Sequence, residues 1–330
     1  MNEVRFDGFE PFLAAAGEIL ITAHIDPDGD AVGSCLGLKI ALRHRGKTAD
    51  VVLESPLPAS LLFLPEADTI RRPDEVRTRY GTAFVLDSSS LDRVGSVAQK
   101  TLAPGARIAV IDHHWGNEGF GDIRLVDPGA SATAELVYDL IEALRVPLSP
   151  PIAECLYTGI LSDTGGFRYA NTSSRTLRVA ARLVEEGARS SVVAEALYAT
   201  KTAPSLRILG LALASLETKG GGKIGAMTIS REMFEKAGAK PEDADGIVQY
   251  AKDLAGARVG VLIQETGPDE IRASLRSDGT VDVNQVASQF GGGGHRNAAG
   301  LRVQGRLETV RQDLFRALER AMNGGAPPPA

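Results

Sequence analysis

Four of the five histidines, His24, His113, His114 and His295, stand in polar, glycine-associated segments at the ends of apolar runs, while His44 reads as a helix-surface residue. The first of these segments, His24-Ile25-Asp26-Pro27-Asp28-Gly29-Asp30, packs one imidazole and three carboxylates into seven residues. A divalent cation would neutralise that concentration of charge. Pro-Asp-Gly is also good turn chemistry, with an Asp able to cap the helix that follows. Asp87 ends the apolar run Thr82–Leu86, where an N-cap is the alternative role. Asp112-His113-His114 ends the run Ala106–Ile111, and Asp163 stands where the helical stretch Ile152–Leu161 meets Thr164-Gly165-Gly166.

Each carboxylate alone could be a turn residue. Together they share one position, because ligands of an open parallel sheet bind outside the carboxyl ends of its strands. Four or five carboxylates with two imidazoles exceed the needs of one ion. They suit two metals about 3.5–4 Å apart, the arrangement that serves phosphoryl transfer. Oxygen and imidazole donors without thiolate favour Mn²⁺, with Mg²⁺ or Co²⁺ as substitutes. Consecutive side chains of extended backbone point to opposite sides, so one of His113 and His114 is expected on metal and the other toward substrate. Asp26 falls outside the ligand spacing and reads as a turn residue.

The elements that must position these residues are α/β in the first half. Strand-like runs at Glu18–Ala23, Lys47–Leu53, Thr82–Leu86 and Ala106–Ile111 alternate with helical stretches at Ala31–Arg43, Leu91–Gln99, Ala132–Leu144, Ile152–Leu161 and Ser173–Glu186. This order predicts a parallel sheet with helices on both faces. Residues 1–188 form the expected catalytic domain and residues 189–206 a helical connector broken at Pro204. Residues 207–323 form a smaller α+β domain with a mixed sheet: strands at Ile224–Ile229, Val259–Glu265 and Glu270–Arg276, and helices at Arg231–Gly238, Asp243–Leu254, Val283–Phe290 and within Leu307–Met322. Residues 324–330, with three prolines, read as a disordered tail.

In that second half, Gly291-Gly292-Gly293-Gly294 precedes His295 and Arg296. Backbone of this kind can turn its N–H groups to one point and make an anion-binding nest. Strand alternation puts Arg272, Ser274 and Arg276 on one face, where Arg276 could grip a phosphate bidentately. The overall charge of -6, from 36 Lys and Arg against 42 Asp and Glu, excludes non-specific duplex binding through a basic surface as the main activity. The only cysteines, Cys35 and Cys155, lie far apart in apolar stretches, which excludes a disulfide framework and fits a reducing cytoplasm. The first 17 residues do not read as a signal peptide, and no apolar run approaches the ~20 residues of a membrane helix.

The four acidic segments, in this order, resemble the DHH phosphoesterase superfamily, named for the triplet seen here as Asp112-His113-His114. The Gly291–Gly300 segment, with Ser274, Arg276 and Asn284 before it, resembles the DHHA1 domain, and the pair is similar to the NrnA-type branch. The resemblance implies His24, Asp28 and Asp87 as ligands of one Mn²⁺ and Asp30, Asp87, His113 and Asp163 as ligands of the other, with Asp87 bridging. It implies His114 at the scissile phosphate and Asp112 orienting the histidines. Ser274, Arg276, Gly291, Gly292, Gly293, Gly294 and His295 would bind substrate. The activity implied is that of a hydrolase: hydroxide attack at two metals in an interdomain cleft, degrading short oligoribonucleotides to mononucleotides and removing the 3′-phosphate of 3′-phosphoadenosine 5′-phosphate (pAp). A cyclic di-AMP or pApA phosphodiesterase is the rival enzyme, and a nucleotide-binding sensor the rival of another class. The implied partners are short single-stranded RNA and pAp, without a membrane or a stable protein partner other than a second copy of the chain.

Overall fold

Runs of Val, Ile, Leu and Phe with no turn residue inside them become strands buried on both faces, and in the first half of the chain these strands are parallel. The computed structural model describes residue 6, residues 8–199 and residues 201–324, and the chain divides into units of residues 1–200 and 201–330. The tail expected to be disordered lies, from residue 325, outside the described residues.

The first unit runs α1 (Phe9–Ala14), β1 (Ile19–Thr22), α2 (Gly29–His44), β2 (Ala49–Val51), β3 (Tyr80–Leu86), α3 (Val97–Thr101), β4 (Leu102–Asp112), β5 (Ile123–Val126), α4 (Thr133–Ala143), α5 (Pro150–Asp163), α6 (Ser174–Glu185) and α7 (Ser190–Tyr198). The sheet order is β2-β1-β3-β4-β5, with every pairing parallel. In this order the chain leaves β1 to one side for β2 and returns to its other side for β3, which opens a crevice at the carboxyl ends of β1 and β3.

The two faces are covered unequally. Ile19, Ile21, Phe84, Leu86, Ala109 and Ile111 pack into the large core with α1, α2, α4 and α5. Leu20, Val85 and Val110 pack into a smaller cluster with Val94, Val97 and partly buried residues such as Leu91, Ala98 and Phe120. The helix expected over Leu91–Gln99 is instead a 3₁₀ turn at Leu91–Val94 followed by α3, because Gly95 takes a left-handed φ of +65° and breaks the run.

Helices α2 and α5 touch through glycine. A Cβ on Gly33 would fall on the Cys155 carbonyl oxygen, and one on Gly159 would come within 2.8 Å of Asp30 Oδ1 and 2.6 Å of the Ala134 Cβ. Only glycine allows this approach. It brings the first turn of α2 beside the last turn of α5, so Asp163 is the final helical residue rather than a loop residue.

The second unit runs α8 (Ala203–Ala214), β6 (Glu217–Lys219), β7 (Ile224–Ile229), α9 (Arg231–Ala237), α10 (Val248–Lys252), β8 (Val259–Gly267), β9 (Glu270–Ser277), α11 (Val283–Ser288), β10 (Gly293–His295), β11 (Ala298–Gln304) and α12 (Leu307–Met322). Its mixed sheet is ordered β10-β11-β9-β8-β7-β6, with only β7 and β8 parallel. Val261, Ile263, Ile271, Ala273 and Leu275 face α11 and α12, while Met227, Ile229 and Leu262 face α8, α9 and α10. The helix expected over Asp243–Leu254 is split into a 3₁₀ turn at Pro241–Ala244 and α10, with Gly246 at φ +82° between them. The helical break expected at Pro204 falls before it. Proline occupies the first turn of α8, where a missing N–H costs nothing. Among the described residues no helix is long and apolar enough to cross a membrane.

Candidate active site

Four loops at the carboxyl ends of the first unit's strands and at the adjoining helix ends bring seven of the eight predicted acid and imidazole groups within direct reach of one another. Their centre is Asp87, which is 3% exposed and directly follows β3 in a left-handed conformation, φ +52°. His24 Nε2 is 3.5 Å from its Oδ2, His113 Nε2 is 3.6 Å from its Oδ1, and His114 Nδ1 is 3.7 Å from the same Oδ1. His113 Nε2 is also 3.6 Å from Asp163 Oδ2 and 3.9 Å from Asp30 Oδ2. Donor atoms of His24, Asp28 and Asp87 lie within 4.8 Å of one another, and so do those of Asp30, His113 and Asp163. Asp112 stands behind the group, fully buried.

Two imidazoles are oriented by backbone carbonyls. The Nδ1–H of His24 donates to the Ile25 carbonyl at 2.8 Å, and that of His113 donates to the Ala130 carbonyl at 3.3 Å, so each presents Nε2 to the carboxylates. His114 is held differently: its Nδ1 donates to Asp112 Oδ1 at 2.7 Å. Asp112 therefore orients His114 alone, which corrects the expectation that it orients both histidines. His113 and His114 do not diverge to opposite sides either. Their rings are 5.0 Å apart, edge to face, and both reach Asp87 just beyond the end of β4 at Asp112.

The helix-capping alternatives resolve in two ways. Asp28 caps α2, accepting the N–H groups of Asp30 and Ala31 on Oδ1, and still faces His24 and Asp87; one carboxylate serves both ends. Asp87 caps nothing, since the turn after it begins at Leu91 behind Ser90. Asp26, at φ +55°, is an exposed turn residue whose N–H donates to Ser55.

Supporting residues escaped the sequence reading. Asp30 is fully buried and accepts the N–H groups of Thr133 and Ala134 at 2.6 and 2.9 Å, which satisfies two orphan donors at the start of α4, and Ser34 donates to its Oδ1. Thr133 Oγ1 donates to Asp87 Oδ1 at 3.0 Å. Asn117 donates to Asp112 Oδ2 at 2.7 Å and to the Ser88 carbonyl at 3.3 Å, and Asn171 ties the Asp163 carbonyl to that of Ser131. Asn117, three residues beyond the histidine pair, carried a weak spacing signal; Thr133 and Asn171 carried none.

The electrostatics describe a group that requires positive charge. Burial alone would lower the pKa of His24, yet its bond to Asp87 and the charges of Asp87 and Asp28 raise it to about 9. Burial would raise Asp87, but His24, His113 and His114 hold it down to about 2. Asp163 is pushed up to about 6 by burial, and by Asp87 and Asp28 against the opposing pull of His113. Asp30 is driven well above the carboxylate range by burial and by Asp87, Asp163 and Asp28. Buried carboxylates crowded to the point of holding protons, with two imidazole Nε2 atoms aimed among them, are the donor set of hard or borderline divalent cations.

The residues expected to hold substrate lie on the second unit. Arg276 and Ser274 are half-buried on β9, on the face opposite Leu275, and Arg272 on the same face pairs with Asp245 at 3.3 Å. The glycine run is not the open nest expected of it. Gly291 and Gly292 donate their N–H groups to the Ser288 and Ala287 carbonyls at the end of α11, and Gly293, Gly294 and His295 pair as β10 with β11. Two amides of the four are thus already used. Glycine is required here for close approach: a Cβ on Gly294 would be 2.5 Å from the Ala298 carbonyl oxygen.

Against known proteins, residues 18–160 match the family model described as the DHH family, N-terminal domain, and residues 222–324 match the DHHA1 domain. A protein of Thermus thermophilus named bifunctional oligoribonuclease and PAP phosphatase NrnA is 37% identical over 93% of this chain and 94% of its own length. The Bacillus subtilis protein of that name is 30% identical over 86% of this chain and 88% of its own. A solved structure of an exopolyphosphatase-related protein from Bacteroides fragilis superposes with a TM-score of 0.91 at 28% identity, covering 98% of both chains.

Proposed function

The chain belongs to the DHH family, with a DHH domain followed by a DHHA1 domain, and from that premise we propose a divalent-metal-dependent phosphoesterase that hydrolyses short oligoribonucleotides to mononucleotides and removes the 3′-phosphate of pAp to give AMP. The observation that carries this reading is the convergence of His24, Asp28, Asp30, Asp87, His113 and Asp163 on one crevice at the strand-order reversal. The names of the Thermus and Bacillus relatives supply the substrate class.

On this reading His24, Asp28 and Asp87 hold one cation and Asp30, Asp87, His113 and Asp163 the other, with manganese the preferred ion. Such ions supply charge neutralisation to a phosphate and acidify a water molecule. The protein's own groups do the rest. Thr133 and the start of α4 fix Asp87 and Asp30 so that the cluster does not rearrange around its charge. His114 has Nδ1 committed to Asp112, so Nε2 is the nitrogen that meets the phosphate. Burial lowers its pKa, but the Asp112 bond and the charges of Asp87 and Asp112 outweigh this and raise it, favouring the imidazolium as a proton and hydrogen-bond donor to the leaving oxygen. Arg276 and Ser274 bind a phosphate that does not react. The buried free thiols Cys35 and Cys155 are compatible with a cytoplasmic setting.

The test is phosphate release from pAp with Mn²⁺, Mg²⁺ or chelator, run beside short RNA, pApA and cyclic di-AMP. Release from pAp and mononucleotides from short RNA, abolished by chelator and cut at least 10²-fold in His114→Ala, are expected. Preference for cyclic di-AMP, or binding without turnover, overturns the reading.

A further inference from the structure

The chain has one tryptophan, Trp115, and it is 89% exposed, the most exposed large apolar side chain among the described residues. Indole rings usually bury most of their area, and an isolated one left in water needs an occupant or a reason. Its neighbourhood is specific. Trp115 follows His114 directly, so its Cα is about 3.8 Å from that of the histidine assigned to the phosphate.

The backbone beneath it is not loose. Residues 114–117 form a turn closed by the Asn117 N–H on the His114 carbonyl at 3.2 Å, and the Asn117 side chain is fastened to Asp112 and to the Ser88 carbonyl. The Glu118 N–H donates to the Ser89 carbonyl at 2.9 Å, which ties the turn to the loop after Asp87. A turn pinned by these hydrogen bonds thus carries an exposed ring on the residue next to His114. Two other exposed apolar side chains occur on ligand-bearing segments, Ile25 beside His24 at 41% and Tyr169 after Asp163 at 46%.

We infer that Trp115 is the stacking platform for the nucleobase attached to the reacting nucleotide, which rests on the phosphoesterase reading of the adjacent site. The chemistry favours a base over another apolar partner. A nucleotide carries its base one sugar away from its phosphate, and Trp115 is the next residue after the histidine assigned to that phosphate. The cluster is rich in carboxylates and the chain has a net charge of -6, so attraction of the polyanion by surface cations contributes little. Stacking supplies affinity that needs no positive charge, and it favours purines through their larger ring area.

The sole tryptophan reports on itself. AMP, a product that is not turned over, is expected to quench the intrinsic fluorescence of the full chain, whereas ribose 5-phosphate and inorganic phosphate leave it unchanged. Trp115→Ala is expected to raise KM for pAp about tenfold, the effect of losing one stacked base, and Trp115→Phe to recover most of the loss. Ribose 3,5-bisphosphate, which is pAp without its base, is expected to lose nothing further in Trp115→Ala. Unaltered fluorescence at AMP concentrations that inhibit pAp hydrolysis, an unchanged KM for pAp, or an equal loss on the base-free ester each overturns the assignment. Failure of the wild type to cleave either ester would instead remove the phosphoesterase reading itself.

Discussion

Asp87 receives three imidazoles while buried, and its left-handed backbone is what lets one carboxylate face His24 on one side and His113 and His114 on the other. Without a cation this arrangement stores protons on its neighbours, so metal binding must release them. His24, with its pKa raised to about 9, is cationic at neutral pH, and a metal competes with that proton. Asp163, raised to about 6, holds a proton below that pH. Both shifts have the same sign for binding: apparent Mn²⁺ affinity rises as pH increases through 6 and goes on rising toward 9. Calorimetry in buffers of different ionisation enthalpy is expected to show net proton release at pH 7, and uptake would contradict the assigned ligands. Asp112 gives a second prediction. Asp112→Asn keeps the shape but removes the charge that raises His114, so kcat falls about 10²-fold and the alkaline limb of its pH profile moves to lower pH. A limb that stays in place would mean that His114 is not the titrating donor.

The contact of α2 with α5 decides whether these side chains meet. Asp28 and Asp30 open one helix and Asp163 closes the other, and the two helices lie close enough only because Gly33 and Gly159 have no side chain. Gly33→Ala drives a methyl into the Cys155 carbonyl. It is expected to destabilise the protein by about 1–3 kcal/mol, as overpacking does, and to weaken Mn²⁺ binding beyond what the stability loss explains, because Asp163 moves away from Asp30. Thermal denaturation and metal titration of the same variant check both parts. The cluster of ionisable residues was legible in the sequence because it sits at strand ends that apolar runs announce. Gly33 was not, since a glycine inside a helix has no pattern of its own; its role exists only when the facing helix is known. The same holds for Thr133 and Asn171, ordinary polar residues whose partners lie 46 and 8 positions away.

Each of the two units has its own apolar core; the acid and imidazole groups lie on the first, and Arg276 and Ser274, proposed to bind phosphate, lie on the mixed sheet of the second. Arg276→Ala is therefore expected to raise KM for pAp by about 10- to 10²-fold while Mn²⁺ affinity is unchanged, since a lost charge-assisted contact is worth about 1.5–3 kcal/mol. An equal loss of metal affinity would tie Arg276 to the metal cluster instead. The glycine run shows how the units differ in legibility. Composition marked Gly291–Gly294 as backbone free to bind an anion, but two of its amides cap α11 and the rest extend the sheet, because an edge strand pairs with whichever partner the fold lays beside it.

What the amino-acid order determined by itself was the list of chemical groups and the class of architecture. Strand-length apolar runs end in Asp and His, helices intervene, and local periodicity suffices to read both. Tertiary structure alone decided which acid and imidazole groups come within reach of one another, that His114 rather than His113 leans on Asp112, and that Asp28 both caps a helix and faces the cluster. These facts depend on donor atoms within 4.8 Å of one another on residues up to 133 positions apart, brought together by helix packing, and no local pattern encodes them.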